Sequence, residues 1–411
     1  MDKNRIELMA PAGNFESMTA ALKAGADSVY FGVEQLNMRA RATMNFTLDN
    51  LEEVAELCAS YGAKSYITLN TIVYDHDLNL VKRIITQAKE SGISAIIVAD
   101  QAAISYAKQA GMEVHISTQV NVTNIETVKF YAMFADVMVM ARELSVKQMK
   151  DIADAVIKED VRGPSGKLVQ IEVFAHGALC MAVSGKCYLS LHSHNSSANR
   201  GACIQNCRRS YTVKDDEGNE LLIDNEFIMS PKDLCTIDFL DQLLDTGITV
   251  MKIEGRGRAP EYVKTVIECY REAIDSYYDG TYNEEKVAAW MKRLESVYNK
   301  GFWSGYYLGQ KMGEWSKKKD SSATQKKVFL GKGLHYYPKI NVGEFKLESH
   351  SLKVGDKILV TGPTTGVLEQ TIEEIRVDGK VVKDAKKGEE ISFKVDERIR
   401  MNDKLYKVVP A

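Results

Sequence analysis

No apolar run in the 411 residues approaches the roughly 20 that span a bilayer, so a helical membrane anchor is not expected. The opening MDKNRIELMAPAG has neither a long apolar leader region nor a small-residue cleavage site, and the expectation is a chain that stays in the cytoplasm. An excess of one charge is also lacking: 53 Lys and Arg stand against 56 Asp and Glu, a net charge of -3. Nothing therefore pulls the whole molecule towards nucleic acid, and any RNA contact needs a local basic surface. There is no HExxH, no GxSxG, and no GxGxxG after the first strand-like run. Zinc proteolysis, serine proteolysis and dinucleotide binding thus lack their usual sequence support.

The hydrophobic fraction of 45% and the charged fraction of 27% are ordinary for a soluble globular chain. The length exceeds one usual core and favours two domains. Eight short β-rich runs recur between amphipathic helical stretches: IELMA, SVYFGV, SYITLN, AIIVAD, EVHIST, DVMVMA, LVQIEVFA and TVMKIEG. That count predicts an α/β fold, a (β/α)8 TIM-like barrel over residues 1–315, in preference to an open doubly wound sheet. The gap between the seventh and eighth runs is nearly eighty residues and reads as a cysteine-rich insertion, placed at 180–235. A polar, lysine-rich stretch follows the barrel and reads as a basic linker over 316–327. Brief strands broken by glycine and lysine turns then predict a small all-β domain, a β-barrel, over 328–411. Its phrase LKVGDKILVTGPTTG resembles the small barrels of translation factors, which suits docking to RNA or protein as well as a purely stabilising role.

Five of the seven cysteines lie in the insertion: Cys180, Cys187, Cys203, Cys207 and Cys235. In a reducing compartment such cysteines are thiols or metal ligands rather than disulfides. Soft sulfur selects zinc, copper(I) or iron-sulfur centres. Zinc sites favour paired CxxC knuckles, which are missing here, so an iron-sulfur cluster fits the spacing better than zinc or no metal. Cys58 and Cys269 fall in amphipathic helices and read as buried small hydrophobes.

The segment EVFAHGALCMAVSGKCYLS resembles the signature of peptidase family U32, the collagenase-like family. The likeness extends to ELMAPAG, FGVE, NRGAC, SPKDLC and KIEGRGR, and so covers the whole barrel. The resemblance implies a four-iron cluster, because the better understood branches look like RNA-modifying and ubiquinone-hydroxylating proteins with a 4Fe-4S centre. It places the ligands at Cys180, Cys187, Cys203 and Cys235, with Cys207 as the alternative, and zinc as a possible occupant after aerobic handling. In length and in its small β domain the chain is similar to the tRNA hydroxylation proteins, which implies tRNA as substrate, wobble 5-hydroxyuridine as product and prephenate as an anionic co-substrate. A collagenase-like peptidase and a metal-stabilised scaffold for a paralogous partner are the competing readings.

Barrel active sites lie at the C-terminal ends of the strands. The polar residues expected there are Glu34, Asn70, Asp100, His115, Thr118, Gln119, Arg142, Glu143, His176, Lys252, Glu254 and Arg256. For each of them a salt bridge or a polar barrel layer is the plainer alternative to a functional role. His176, four residues before Cys180, is placed to reach both pocket and cluster as an acid, a base or a supporting partner. Lys252, Glu254 and Arg256 alternate and so share one face, where an inward cation suits an anionic substrate. RNA contact falls to Arg208, Arg209, Arg256, Arg258, Lys317–Lys319, Lys326 and Lys327.

Overall fold

The computed structural model describes residues 6–41, 45–212, 214, 216–218, 227–309, 313–318 and 320–411. Seven parallel strands, β1 (Glu7–Pro11), β2 (Ser28–Phe31), β3 (Lys64–Leu69), β4 (Ala95–Val98), β5 (Glu113–Ile116), β6 (Val137–Val139) and β7 (Gln170–Gly177), pair each with the next. The insertion adds β8 (Asp233–Cys235), and β9 (Val250–Ile253) then pairs in parallel with both β7 and β1, which closes the barrel. The eight apolar runs of the sequence are these eight barrel strands.

Helices α1 (Phe15–Lys23), α2 (Leu51–Ser60), α3 (Leu78–Glu90), α4 (Gln101–Gln109), α5 (Ile125–Ala132) and α6 (Val146–Lys158) follow the first six strands. The insertion carries α7 (Leu189–His194), α8 (Leu240–Leu244) lies between it and β9, α9 (Pro260–Tyr278) follows β9 and α10 (Glu284–Ser296) follows α9. Local chemistry starts these helices. Asn14 Oδ1 accepts from Ser17 N at 2.8 Å at the head of α1, and Pro260 occupies the first turn of α9, where its missing N–H is harmless.

Strand alternation sorts the two faces of the wall. Leu8, Ile67, Val173 and Ile253 face outward into the core shared with the helices, while Met9, Tyr30, Tyr66, Ile97 and Val250 form a layer of their own. Tyr66 Oη and Ser28 Oγ both donate to Glu7 Oε1 at 2.7 Å. His115 belongs with these residues rather than with the strand ends: it is buried, its ring lies 4.6 Å from Tyr66, and Nε2 lies 3.1 Å from Glu113 Oε1.

The alternation breaks once. The pairing of β7 with β9 shifts register between Phe174 and His176, so one extra residue re-aims every later side chain. Glu172 and Phe174 remain inward, but the His176 ring lies among Tyr262, Tyr270 and Phe302 at centroid distances of 6.1, 5.6 and 5.4 Å, outside the barrel wall. Just beyond, β8 pairs antiparallel with β7, Cys235 opposite His176, and β10 (Phe302–Trp303) runs parallel to β8. The SPKDLC phrase is thus partly a strand.

The C-terminal domain is an antiparallel eight-stranded sheet with its own core, including Leu330, Phe345, Ile358, Ile391 and Leu405. Leu359, Val367 and Tyr406 pack on Ala20 of α1, and Thr19 Oγ1 donates to Pro363 O at 2.7 Å. The basic linker is shorter than expected, because the strand Gln325–Tyr337 already contains Lys326 and Lys327. Lys327 is taken up by Glu261 of α9 at 2.9 Å and by the Tyr406 ring, and Lys319 lies outside the described residues. Among the described residues no helix is long and apolar enough to cross a membrane.

Candidate functional site

A cavity of about 340 Å³ opens at the C-terminal end of the barrel. Its barrel wall carries Tyr30, Ile97, Val139 and Phe174 with four cations, Arg39, Arg142, Lys252 and Arg256, and one carboxylate, Glu254. Lys252, Glu254 and Arg256 all face the cavity, as their alternation requires.

The charges are held in a fixed order. Lys252 Nζ lies 2.7 Å from Glu172 Oε1 beneath the chamber and 4.4 Å from the centre of the Tyr30 ring. Burial pushes the Lys252 amine below its ordinary range, and Glu172 resists that fall. Arg256 donates to Thr68 Oγ1 at 2.8 Å and to Asn37 Oδ1 at 3.1 Å, and burial lowers it to about 10. Gly32 makes room for that guanidinium, since a Cβ there would stand 2.4 Å from Arg256 Nη1. Burial opposes the Glu254 carboxylate, but Arg39 at 2.8 Å, with Arg258 further off, outweighs it and brings the group to about 2. The Arg142 guanidinium lies 3.7 Å over the Phe174 ring and donates to Ala178 O at 2.8 Å. Its Nε and Thr118 Oγ1, both on lining residues, are buried polar atoms without a hydrogen-bond partner, a combination that favours a polar ligand.

The other wall is the insertion. Cys180, Cys187, Cys203 and Cys207 all line the same cavity. Burial raises the Cys207 thiol, Arg208 works against it, and Cys180, Cys203 and Cys187, each within electrostatic reach of Cys207, raise it further. Gln205 N donates to Cys203 Sγ at 3.4 Å, and Ser190 Oγ lies 3.9 Å from the same sulfur. Among the described residues no three His, Cys, Asp or Glu side chains are drawn tightly enough together to hold an ion. The donor set nonetheless fits a sulfur-ligated centre: four soft thiols from one insertion surround one cavity, with N–H and O–H donors aimed at a sulfur.

Cys235 is not among them. It is buried behind β7, with Tyr270 Oη 3.9 Å and Met291 Sδ 3.8 Å from its sulfur, and burial pushes its thiol up to about 12. An antiparallel β8 points this side chain at α9 and α10 and leaves the thiol in an apolar, unreactive setting. Of the two candidates for the fourth position, Cys207 is the one brought to the cavity.

His176 likewise lies off the cavity. Burial and, after it, Arg258 hold its imidazole down at about 3, so it is neutral, with Nδ1 3.4 Å from Tyr270 Oη. Asp100 caps α4 by accepting from Ala102 N at 2.9 Å, and Glu34 and Glu143 are exposed. Arg208 is bound by Leu179 O, Pro231 O and Ser230 Oγ and holds the insertion together. Arg39 and Tyr30 were absent from the expected site; Arg39 sits in a loop after β2 whose sequence, NMRAR, carries no motif beyond basic charge at a strand's C-terminal end.

The profile described as peptidase family U32 matches residues 13–317. A Porphyromonas gingivalis protein named collagenase is 55% identical over 408 residues, 99% of each chain. The Bacillus subtilis tRNA hydroxylation protein P1 is 32% identical over 96% of this chain and 92% of its own. The Escherichia coli 23S rRNA 5-hydroxycytidine C2501 synthase is 36% identical over 67% of this chain and 40% of its own.

Proposed function

The chain belongs to peptidase family U32, and from that premise we propose that it is an RNA-modifying enzyme acting in the cytoplasm, which hydroxylates the wobble uridine of tRNA to 5-hydroxyuridine. The observation that carries this reading is the meeting, at one barrel mouth, of a cation-rich chamber and four insertion thiols. A relative named for tRNA hydroxylation and one named for making 5-hydroxycytidine in rRNA support hydroxylation of RNA, the second of them at C5 of a pyrimidine.

Cys180, Cys187, Cys203 and Cys207 would hold a 4Fe-4S cluster. When bound, such a cluster supplies electron transfer or a point of substrate attachment. The chain's own residues bind and orient. Arg142, Lys252 and Arg256 would pair with the carboxylates of an anionic co-substrate such as prephenate, while Tyr30 and Phe174 offer ring faces to it or to the pyrimidine. Glu254, ionised at any working pH, keeps Arg39 in place and accepts weakly from Ala178 N at 3.3 Å, a positioning role rather than that of a proton carrier.

The collagenase name of the 55% identical relative favours a peptidase as the second reading. Among the described residues no histidine lines the chamber, and Ser117 and Ser184 there have no imidazole to activate them. Deleting the gene and any paralogues and measuring tRNA nucleosides by mass spectrometry tests the first reading. Loss of 5-hydroxyuridine is expected; unchanged 5-hydroxyuridine together with gelatin cleavage by the purified protein would replace it with the second.

A further inference from the structure

A second cavity, of about 320 Å³, lies against the chamber and shares with it Arg142 and the segment from Cys180 to Ser184. Its far wall is aromatic. Two of the chain's three tryptophans, Trp303 and Trp315, face it together with Tyr306. The rings are fixed: Trp303 Nε1 donates to Lys232 O at 3.0 Å, and the Tyr306 ring stands 5.4 Å from Trp303, edge to face. Trp315 is bridged to Pro231, and the next residue, Ser316, donates from its backbone to Ser230 O at 2.8 Å. Gly313 lies between the two indoles, and a Cβ there would meet both at 3.7 Å. The platform is therefore built onto the segment Ser230–Lys232 that leads into β8. Next to it, Met181 and Val183 are exposed at 49% and 41%, unusual for a segment that walls a charged chamber.

Resting on the RNA-modifying reading, we infer that this cavity is a stacking subsite for the base next to the target nucleotide in single-stranded RNA. A base has two apolar faces and no charge, which an aromatic cavity suits, while the phosphate that joins it to its neighbour carries the charge that Arg142, shared by both cavities, suits. A target pyrimidine in the chamber and its neighbour in the aromatic cavity would lie on either side of the Cys180–Ser184 segment. An RNA chain brings one negative charge per nucleotide to a chamber with four lining cations and one lining carboxylate; a neutral peptide backbone has no such complement.

The test uses the full-length, cluster-loaded protein and two fluorescein-labelled 17-nucleotide anticodon stem-loops, one normal and one abasic beside the target uridine. Fluorescence anisotropy is measured for wild type, Trp315→Ala, Tyr306→Ala and the stacking-competent Trp315→Phe. Each alanine variant is expected to weaken binding of the normal RNA about tenfold, since it removes one base–aromatic stack. Trp315→Phe should keep most of the affinity. The abasic RNA should bind wild type about as weakly as Trp315→Ala binds the normal one, and Trp315→Ala should no longer distinguish the two RNAs. Unchanged melting temperature keeps a folding defect apart. If wild type binds and modifies the RNA while neither alanine variant nor the abasic site changes affinity, the subsite is overturned and the enzyme assignment stands. If wild type binds no RNA, and a denatured-collagen peptide binds in a Trp315-dependent way, both fall.

Discussion

Lys252 and Glu172 form a nearly inaccessible ion pair inside the barrel, with one Glu172 oxygen left without a hydrogen bond. A pair of this kind gains little over an apolar substitute, yet removing one partner strands the other charge. Lys252→Met is expected to lower stability by about 3–5 kcal/mol in urea unfolding, and Lys252→Met with Glu172→Leu to recover most of it. Recovery of stability without recovery of activity would mark the pair as kept for the chamber's chemistry. His176 makes a separate prediction. It is neutral in the fold down to about pH 3, whereas an unfolded histidine takes up a proton near pH 6.5. The unfolded state therefore binds more protons, and this group's contribution is lost as pH falls from about 6.5 towards 3. His176→Phe should flatten that part of the stability curve relative to wild type, while the pH profile of catalysis stays where it was, because the imidazole is outside the chamber. A shifted catalytic profile would return His176 to the site.

Arg200 latches the cysteine-bearing insertion to the barrel. Arg200 Nη1 and Nη2 bind the Asp77 carboxylate, Nη1 donates to Ile72 O at 2.9 Å, and the guanidinium lies 4.2 Å over the Tyr74 ring. Gly201 beside it runs at φ +78°, and a Cβ would come 2.1 Å from Asn37 O, so the NRGAC glycine lets the insertion close onto the β2 loop. Arg200→Ala should speed amide hydrogen exchange over 198–209 with little change in the barrel strands; uniform acceleration throughout would show that the latch belongs to the global fold. The sequence made some of this legible. Barrel strands announce themselves because each is a short apolar run between helix-forming stretches, and Lys252, Glu254 and Arg256 could be assigned a face by alternation alone. One bulge after Phe174 undid the same rule for His176, and no residue type in VFAHG signals it. Cys235 looked equivalent to the other thiols because sequence spacing does not record that DLC forms a strand facing α9. Arg39 could only be found once the barrel brought its loop over Glu254.

The molecule as a whole separates a chemical mouth from a docked side domain. The C-terminal sheet sits on α1 and α9, with Gly366 close enough that a Cβ would meet Ala20 N at 3.1 Å. Val367→Asp should place a charge in that apolar contact and split one calorimetric transition into two, the barrel unfolding at its own temperature; a single unshifted transition would mean that the contact contributes little to stability. The cluster assignment turns on the fourth thiol at the mouth. Anaerobically purified wild-type protein, Cys207→Ser and Cys235→Ser should be assayed side by side for iron and acid-labile sulfide. The expected result is about four of each per wild-type chain, as a 4Fe-4S centre requires, the same in Cys235→Ser, and a loss of most of both in Cys207→Ser. Retention in Cys207→Ser with loss in Cys235→Ser, in a protein that still melts as wild type does, would contradict it.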